Sequence, residues 1–136
     1  MKFGIELGFQ LPRPWRRESE AELYESRLTI AELADQLGFD SLWVEEHHFL
    51  EEYCHLSSPE VFLAACTQRT TQIRLGFGVM LLPPMINNPV RSAEKVAALD
   101  LLAKGRVEFG VGSSSDRLGT TAWGVDWDKR QEMTEE

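Results

Sequence analysis

Residues 88–112 read NPVRSAEKVAALDLLAKGRVEFGVG, and within this stretch the hydrophobic period changes once. Asn88-Pro89 supplies a helix cap and then a proline in the first turn, where a missing N–H costs nothing. Val90, Ala93, Ala97 and Leu101 follow at steps of three or four, the spacing of one helix face. Gly105 ends the helix, Arg106 to Val111 is a strand-like run, and Gly112-Ser113-Ser114-Ser115 turns away from it. A helix that delivers the chain into a strand is part of a β–α–β crossover, whose strands run parallel.

The same rhythm extends outward. Upstream, Ile73 to Leu82 is an apolar run holding Gly76 and Gly78 and closed by Pro83-Pro84. Ser57-Ser58-Pro59-Glu60 opens a helix, with Ser as cap and an acid facing the positive helix end. Phe39 to Glu45 reads as a strand that stops at Glu45-Glu46-His47-His48. Before it, Leu23, Arg27, Ile30, Ala34 and Leu37 form one helix face, closed by Gly38, and Phe3-Ile5-Leu7 has the period of a strand. Downstream, residues 113–125 show no clear period, and Asp126 or Asp128 caps a last helix. Strand and helix thus alternate four times, which predicts an α/β fold with parallel strands and right-handed crossovers. A four-unit open sheet and the first half of an eight-unit barrel look alike at this level.

The chain has 136 residues, 22 acidic against 14 basic, for a net charge of −8. No basic cluster offers a face to phosphates, which argues against nucleic acid and anionic membranes as partners. No apolar run is long enough to span a bilayer, and the N-terminus lacks the continuous apolar core of a signal peptide, so the expected location is the cytoplasm. Cys54 and Cys66 form no CxxC pair, and His47 and His48, adjacent on an extended segment, point to opposite sides. No metal site is expected.

Ligands of parallel α/β folds sit at the C-terminal strand ends. There the sequence places His47, which can exchange protons near neutrality, with Glu45 or Glu46 to orient it. Gly110 and Gly112 allow close approach, although Ser115 leaves a GxGxxG fingerprint incomplete. Gly76 and Gly78 mark either a close approach or room for bulky neighbours such as Trp43 or Phe77. Asp100 is placed for a packing or interface hydrogen bond, and Trp123 and Trp127 for lid or core.

FDSLWVEEHHF (39–49), IRLGFGVMLLP (73–83), the 88–112 block and WGVDWDKRQEMTEE (123–136) together resemble the bacterial luciferase-like flavin monooxygenase family, in its order and spacing over essentially the whole chain. The resemblance implies the first half of a TIM-like (β/α)₈ barrel, with residues 1–136 the N-terminal part of a single barrel domain. It implies an enzyme that uses reduced FMN, delivered by a separate flavin reductase, and O₂ to oxygenate a small organic substrate. A related branch uses a deazaflavin for hydride transfer, and a non-catalytic flavin-binding half-barrel is a further alternative. On this resemblance His47 is the catalytic residue, Gly78 and Val79 lie at a non-prolyl cis peptide under the flavin ring, and Gly112 and Ser113 complete the cofactor site. Glu46 orients the site or a subunit contact. Gly112 stands where luciferases proper carry cysteine, which argues against a light emitter, and Ser113 stands where an arginine often meets the flavin phosphate. A homodimer through helices at about 58–71 and 88–104 is also implied. A TIM barrel takes roughly 250 residues, so the chain is expected to be a fragment or to complete its barrel by association.

Overall fold

Four strands and the helices between them make up the computed structural model, which describes residues 1–135. The order is β1 (Gly4–Leu7), α1 (Ser19–Gln36), β2 (Ser41–Val44), α2 (Pro59–Thr67), β3 (Arg74–Leu81), α3 (Pro89–Ala103), β4 (Val107–Gly112) and α4 (Arg117–Ala122). A 3₁₀ turn (Trp127–Lys129) and the short α5 (Glu132–Glu135) follow. All strands are parallel, in the spatial order β1-β2-β3-β4. A doubly wound open sheet reverses its strand order partway. Here it never reverses, so the architecture is that of the first half of a (β/α) barrel.

Side-chain alternation divides the sheet into two faces. Leu7, Leu42, Val44, Leu75 and Phe77 point toward the helices and meet Leu23, Ala31, Ala34, Phe62, Leu63, Cys66, Leu99 and Ala103 in one buried core. Glu6, Trp43, Gly76 and Glu108 fall on the other face, which is the inside of the barrel; neighbouring strands hold Glu6 level with Trp43, Trp43 with Gly76, and Gly76 with Glu108. Strands β1 and β4 are the two sheet edges, and Phe109 and Val111 of β4 remain substantially exposed on the helix-facing side.

Two helix faces differ from the sequence expectation. In α1 the buried positions are Leu23, Ala31, Ala34 and Asp35, whereas Leu37 is exposed, because the helix ends before it and Gly38 already turns the chain at φ +79°. In α3 the core face is Ser92, Leu99 and Ala103; Val90 and Leu101 of the expected apolar stripe point outward, 68% and 82% exposed. Asn88 caps α3 as expected, its Oδ1 accepting from Val90 N (3.0 Å) and Arg91 N (3.2 Å). Ser58 stands at the start of α2 but makes no side-chain cap bond. Asp126 caps the 3₁₀ turn through Asp128 N, and α4, inside the stretch without a period, is capped by Asp116, which accepts from Leu118 N and Gly119 N.

Two carboxylates lock the bottoms of the strands. Asp35 accepts from the N–H groups of Thr71 (2.8 Å), Gln72 (2.8 Å) and Ile73 (2.6 Å) and from the Thr71 hydroxyl (3.1 Å). Burial raises the Asp35 carboxyl, but these donors, Ile73 N–H foremost, outweigh it and hold it below its ordinary value. Asp100 accepts from Val107 N (3.1 Å), the packing bond expected of it.

Candidate active site

Beyond Val44 the chain stays extended, and successive side chains take opposite sides. Glu45 and His47 face one way, with Glu45 Oε2 3.4 Å from His47 Nε2 and each side chain 13% exposed. Glu46 and His48 face the other way. Glu46 is buried; its Oε1 meets His48 Nε2 at 3.0 Å and accepts from Asn87 Nδ2 at 2.8 Å, while its Oε2 accepts from Leu81 N at 2.9 Å. Glu46 therefore ties the end of β2 to the end of β3 and to the loop beyond it. His48 is further packed against the Trp123 ring, at 5.3 Å between centroids.

His47, Gly78, Val79, Gly112 and Ser113 all line one cavity of about 400 Å³, together with Glu6, Glu45, Tyr53 and Ser115. The Gly78–Val79 peptide is cis, the geometry the resemblance implies for this position, and the β3–β4 ladder slips between Phe77 and Met80. A Cβ at Gly110 would lie 2.3 Å from Phe77 O, so that glycine lets the irregular strand come close. At Gly112 a Cβ would lie 2.8 Å from Val79 Cγ2, whereas at Gly78 it would make only ordinary contact with Trp43 at 3.5 Å. A second cleft, of about 690 Å³ and lined by Phe49, Leu50, Tyr53 and Leu118, adjoins the first at His47, Tyr53 and Ser115.

The cavity wall carries Glu6, Glu45 and Glu46 and, among the described residues, no lysine or arginine. Ser114 lies in the left-handed region at φ +78°, and its hydroxyl accepts from Asp116 N (3.1 Å). Arg130 supports the serine loop from outside, donating through Nε to Ser114 O (3.2 Å) while its guanidinium stacks on Trp127. Burial, then a Glu45 charge nearby, pushes the Cys54 thiol up to about 12, so it is no nucleophile at neutral pH. Among the described residues no group of three His, Cys, Asp or Glu side chains is placed to hold a metal ion.

The sequence reading missed Glu6, Tyr53 and Arg130. Glu6 was legible, being a lone acid between the core residues Ile5 and Leu7 of a strand and so bound to face the barrel interior. Tyr53, whose ring stands edge-on to His47 at 5.3 Å, and Arg130 come from irregular segments with no period to place them.

Comparison with known proteins gives the same frame. The luciferase-like monooxygenase family profile matches residues 1–136. Limonene 1,2-monooxygenase of Rhodococcus erythropolis is 38% identical over 125 residues, 90% of this chain and 32% of that protein. The crystal structure of the monooxygenase RslO1 from Streptomyces bottropensis superposes with a TM-score of 0.88 at 36% identity, covering 99% of this chain and 40% of that one. The oxygenating constituent of 3,6-diketocamphane monooxygenase from Pseudomonas putida, solved in complex with FMN, shares the fold with a TM-score of 0.86 at 22% identity, covering 99% and 36%. The chain thus spans about a third of the length of the curated relatives it matches. It belongs to the luciferase-like monooxygenase family.

Proposed function

We propose that this chain forms the flavin-facing part of an FMN-dependent monooxygenase that oxygenates a small organic molecule. The supporting observation is the convergence of His47, Gly78, Val79, Gly112 and Ser113 on one cavity at the C-terminal strand ends. At Gly78 a Cβ would make only ordinary contacts, so the backbone there can lie against a planar ring, while the absent Cβ of Gly112 makes room for Val79. Gly78 and Val79 would meet the ring face, and Gly112 and Ser113 would hold its edge, with serine hydroxyls and backbone N–H groups for the phosphate where no cation among the described residues lines the cavity. Bound there, reduced FMN supplies the electrons for O₂ activation, one oxygen atom entering the substrate and the other leaving as water. His47 stands between this cavity and the apolar cleft and moves a proton through its imidazole. The apolar lining of that cleft suits a largely apolar substrate.

A separate flavin reductase supplies the reduced cofactor in this reading. The outward apolar residues of α2 and α3, Val61, Val90, Leu101 and Leu102, form the face of a homodimer. Leu101→Glu is expected to lower the sedimenting mass to that of one chain. The buried free thiols of Cys54 and Cys66 suit the reducing cytoplasm as its location.

Stopped-flow mixing of the protein loaded with reduced FMN against O₂ tests the chemistry. Reoxidation at a rate distinct from free FMN, altered again in His47→Ala, supports it. Reoxidation at the free-flavin rate in both proteins, with tight binding of a reduced deazaflavin instead, counts against it.

A further inference from the structure

We infer that Glu45 is the positioning residue for His47: its carboxylate accepts a hydrogen bond from the imidazole Nε2–H, fixes the ring and leaves Nδ1 as the nitrogen that exchanges protons. Its use in catalysis rests on the function proposed above; the pairing itself does not.

The two acids of the motif are sorted by side. Glu46 is engaged by His48, Asn87 and Leu81 N on the side of the segment away from His47. Glu45 is the reverse case. Its Oε1 is shut off from solvent and has no hydrogen-bond partner among the described residues, so one of its oxygens is left desolvated and unsatisfied. A buried carboxylate in that state needs a donor on its remaining oxygen, and the group 3.4 Å from Oε2 is His47 Nε2. Cys54, also beside Glu45, stays a neutral thiol at ordinary pH and brings no competing anion.

The rest of the ring's surroundings hold it in that orientation. His47 N donates to Leu56 O at 3.2 Å, fixing the backbone, and Tyr53 stands edge-on against the imidazole. A histidine that moves protons is commonly held this way, one ring nitrogen tied to an acid so that the tautomer of the other is defined. Glu45 falls one residue before the EHH triplet.

Proton–nitrogen NMR of the ¹⁵N-labelled full chain tests the pairing without any flavin. A ring N–H held by a carboxylate exchanges slowly enough with water to give a downfield resonance. Wild type is expected to show one from His47 Nε2, identified by its loss in His47→Gln. Glu45→Leu should abolish it while leaving the His48 resonance in place. Glu45→Gln keeps an acceptor without the charge and should retain the signal, shifted upfield. A His47 resonance missing from wild type, or unmoved in Glu45→Gln, overturns the inference even if Glu45→Leu does not fold. Failure to bind FMN would bear on the proposed function and leave these spectra unchanged.

Discussion

The indole of Trp43 occupies the space that a side chain at position 76 would fill: a Cβ on Gly76 would lie 2.3 Å from Trp43 Cε3. The two residues are level in the β2–β3 ladder and face the barrel interior, so a large residue on one strand is matched to an absent side chain on the next. Gly76→Ala must displace the indole and is expected to cost about 1–3 kcal/mol, read as a lower urea midpoint. Gly78→Ala meets Trp43 only at contact distance and should change stability by less than about 1 kcal/mol. Equal losses at both positions would contradict this packing.

Asp35 contributes a stability that depends on pH. Its folded carboxyl titrates below the unfolded value, so its contribution is complete above about pH 4 and fades as pH falls through the folded value. Asp35→Asn is expected to be less stable by about 2–3 kcal/mol at neutral pH. The gap should narrow on acidification, as followed by urea unfolding at a series of pH values. A gap that widens toward acid would contradict the assignment.

Glu46 holds Leu81 N, Asn87 and His48 at one point. Its removal leaves a buried backbone donor at Leu81 unpaired. Glu46→Ala is expected to cost about 2–3 kcal/mol. Amide exchange should accelerate at Leu81 while the Leu75 amide, bonded to Arg106 O in the ladder, stays protected. Uniform acceleration along β3 would point to general loosening instead.

His47→Ala is expected to reduce oxygenation by about 10²-fold or more, the range of a lost general acid or base, with FMN affinity unchanged. Full turnover in that variant would remove His47 from the chemistry.

Much of this was readable from the chain. Pattern alone located the four strands and three long helices, because Pro89, Gly38 and Gly105 punctuate periods that burial then enforces. It could not choose between open sheet and barrel, since strand order depends on where each crossover lands. The family resemblance supplied that choice. It erred on α3 because the helix carries large apolar residues on two sides, Val90 and Leu101 on one and Leu99 on another, and periodicity cannot say which of two apolar faces turns inward. The EEHH segment showed that its two histidines part company; the same alternation also sorts the two acids, a consequence the sequence reading left undrawn. That pairing emerges from the extended backbone, where Glu45 stays with His47 and Glu46 with His48.

The most direct test of a flavin site at these strand ends is a tryptophan-fluorescence titration of the purified chain with FMN, oxidised and then anaerobically reduced. Trp43 packs beside Gly78, which lines the cavity, and serves as the reporter. The predicted result is saturable quenching, tighter for reduced FMN, with affinity about tenfold weaker in Gly78→Leu, a change of about 1.4 kcal/mol. A folded chain that shows no saturable quenching, or whose affinity is the same in Gly78→Leu, would contradict it.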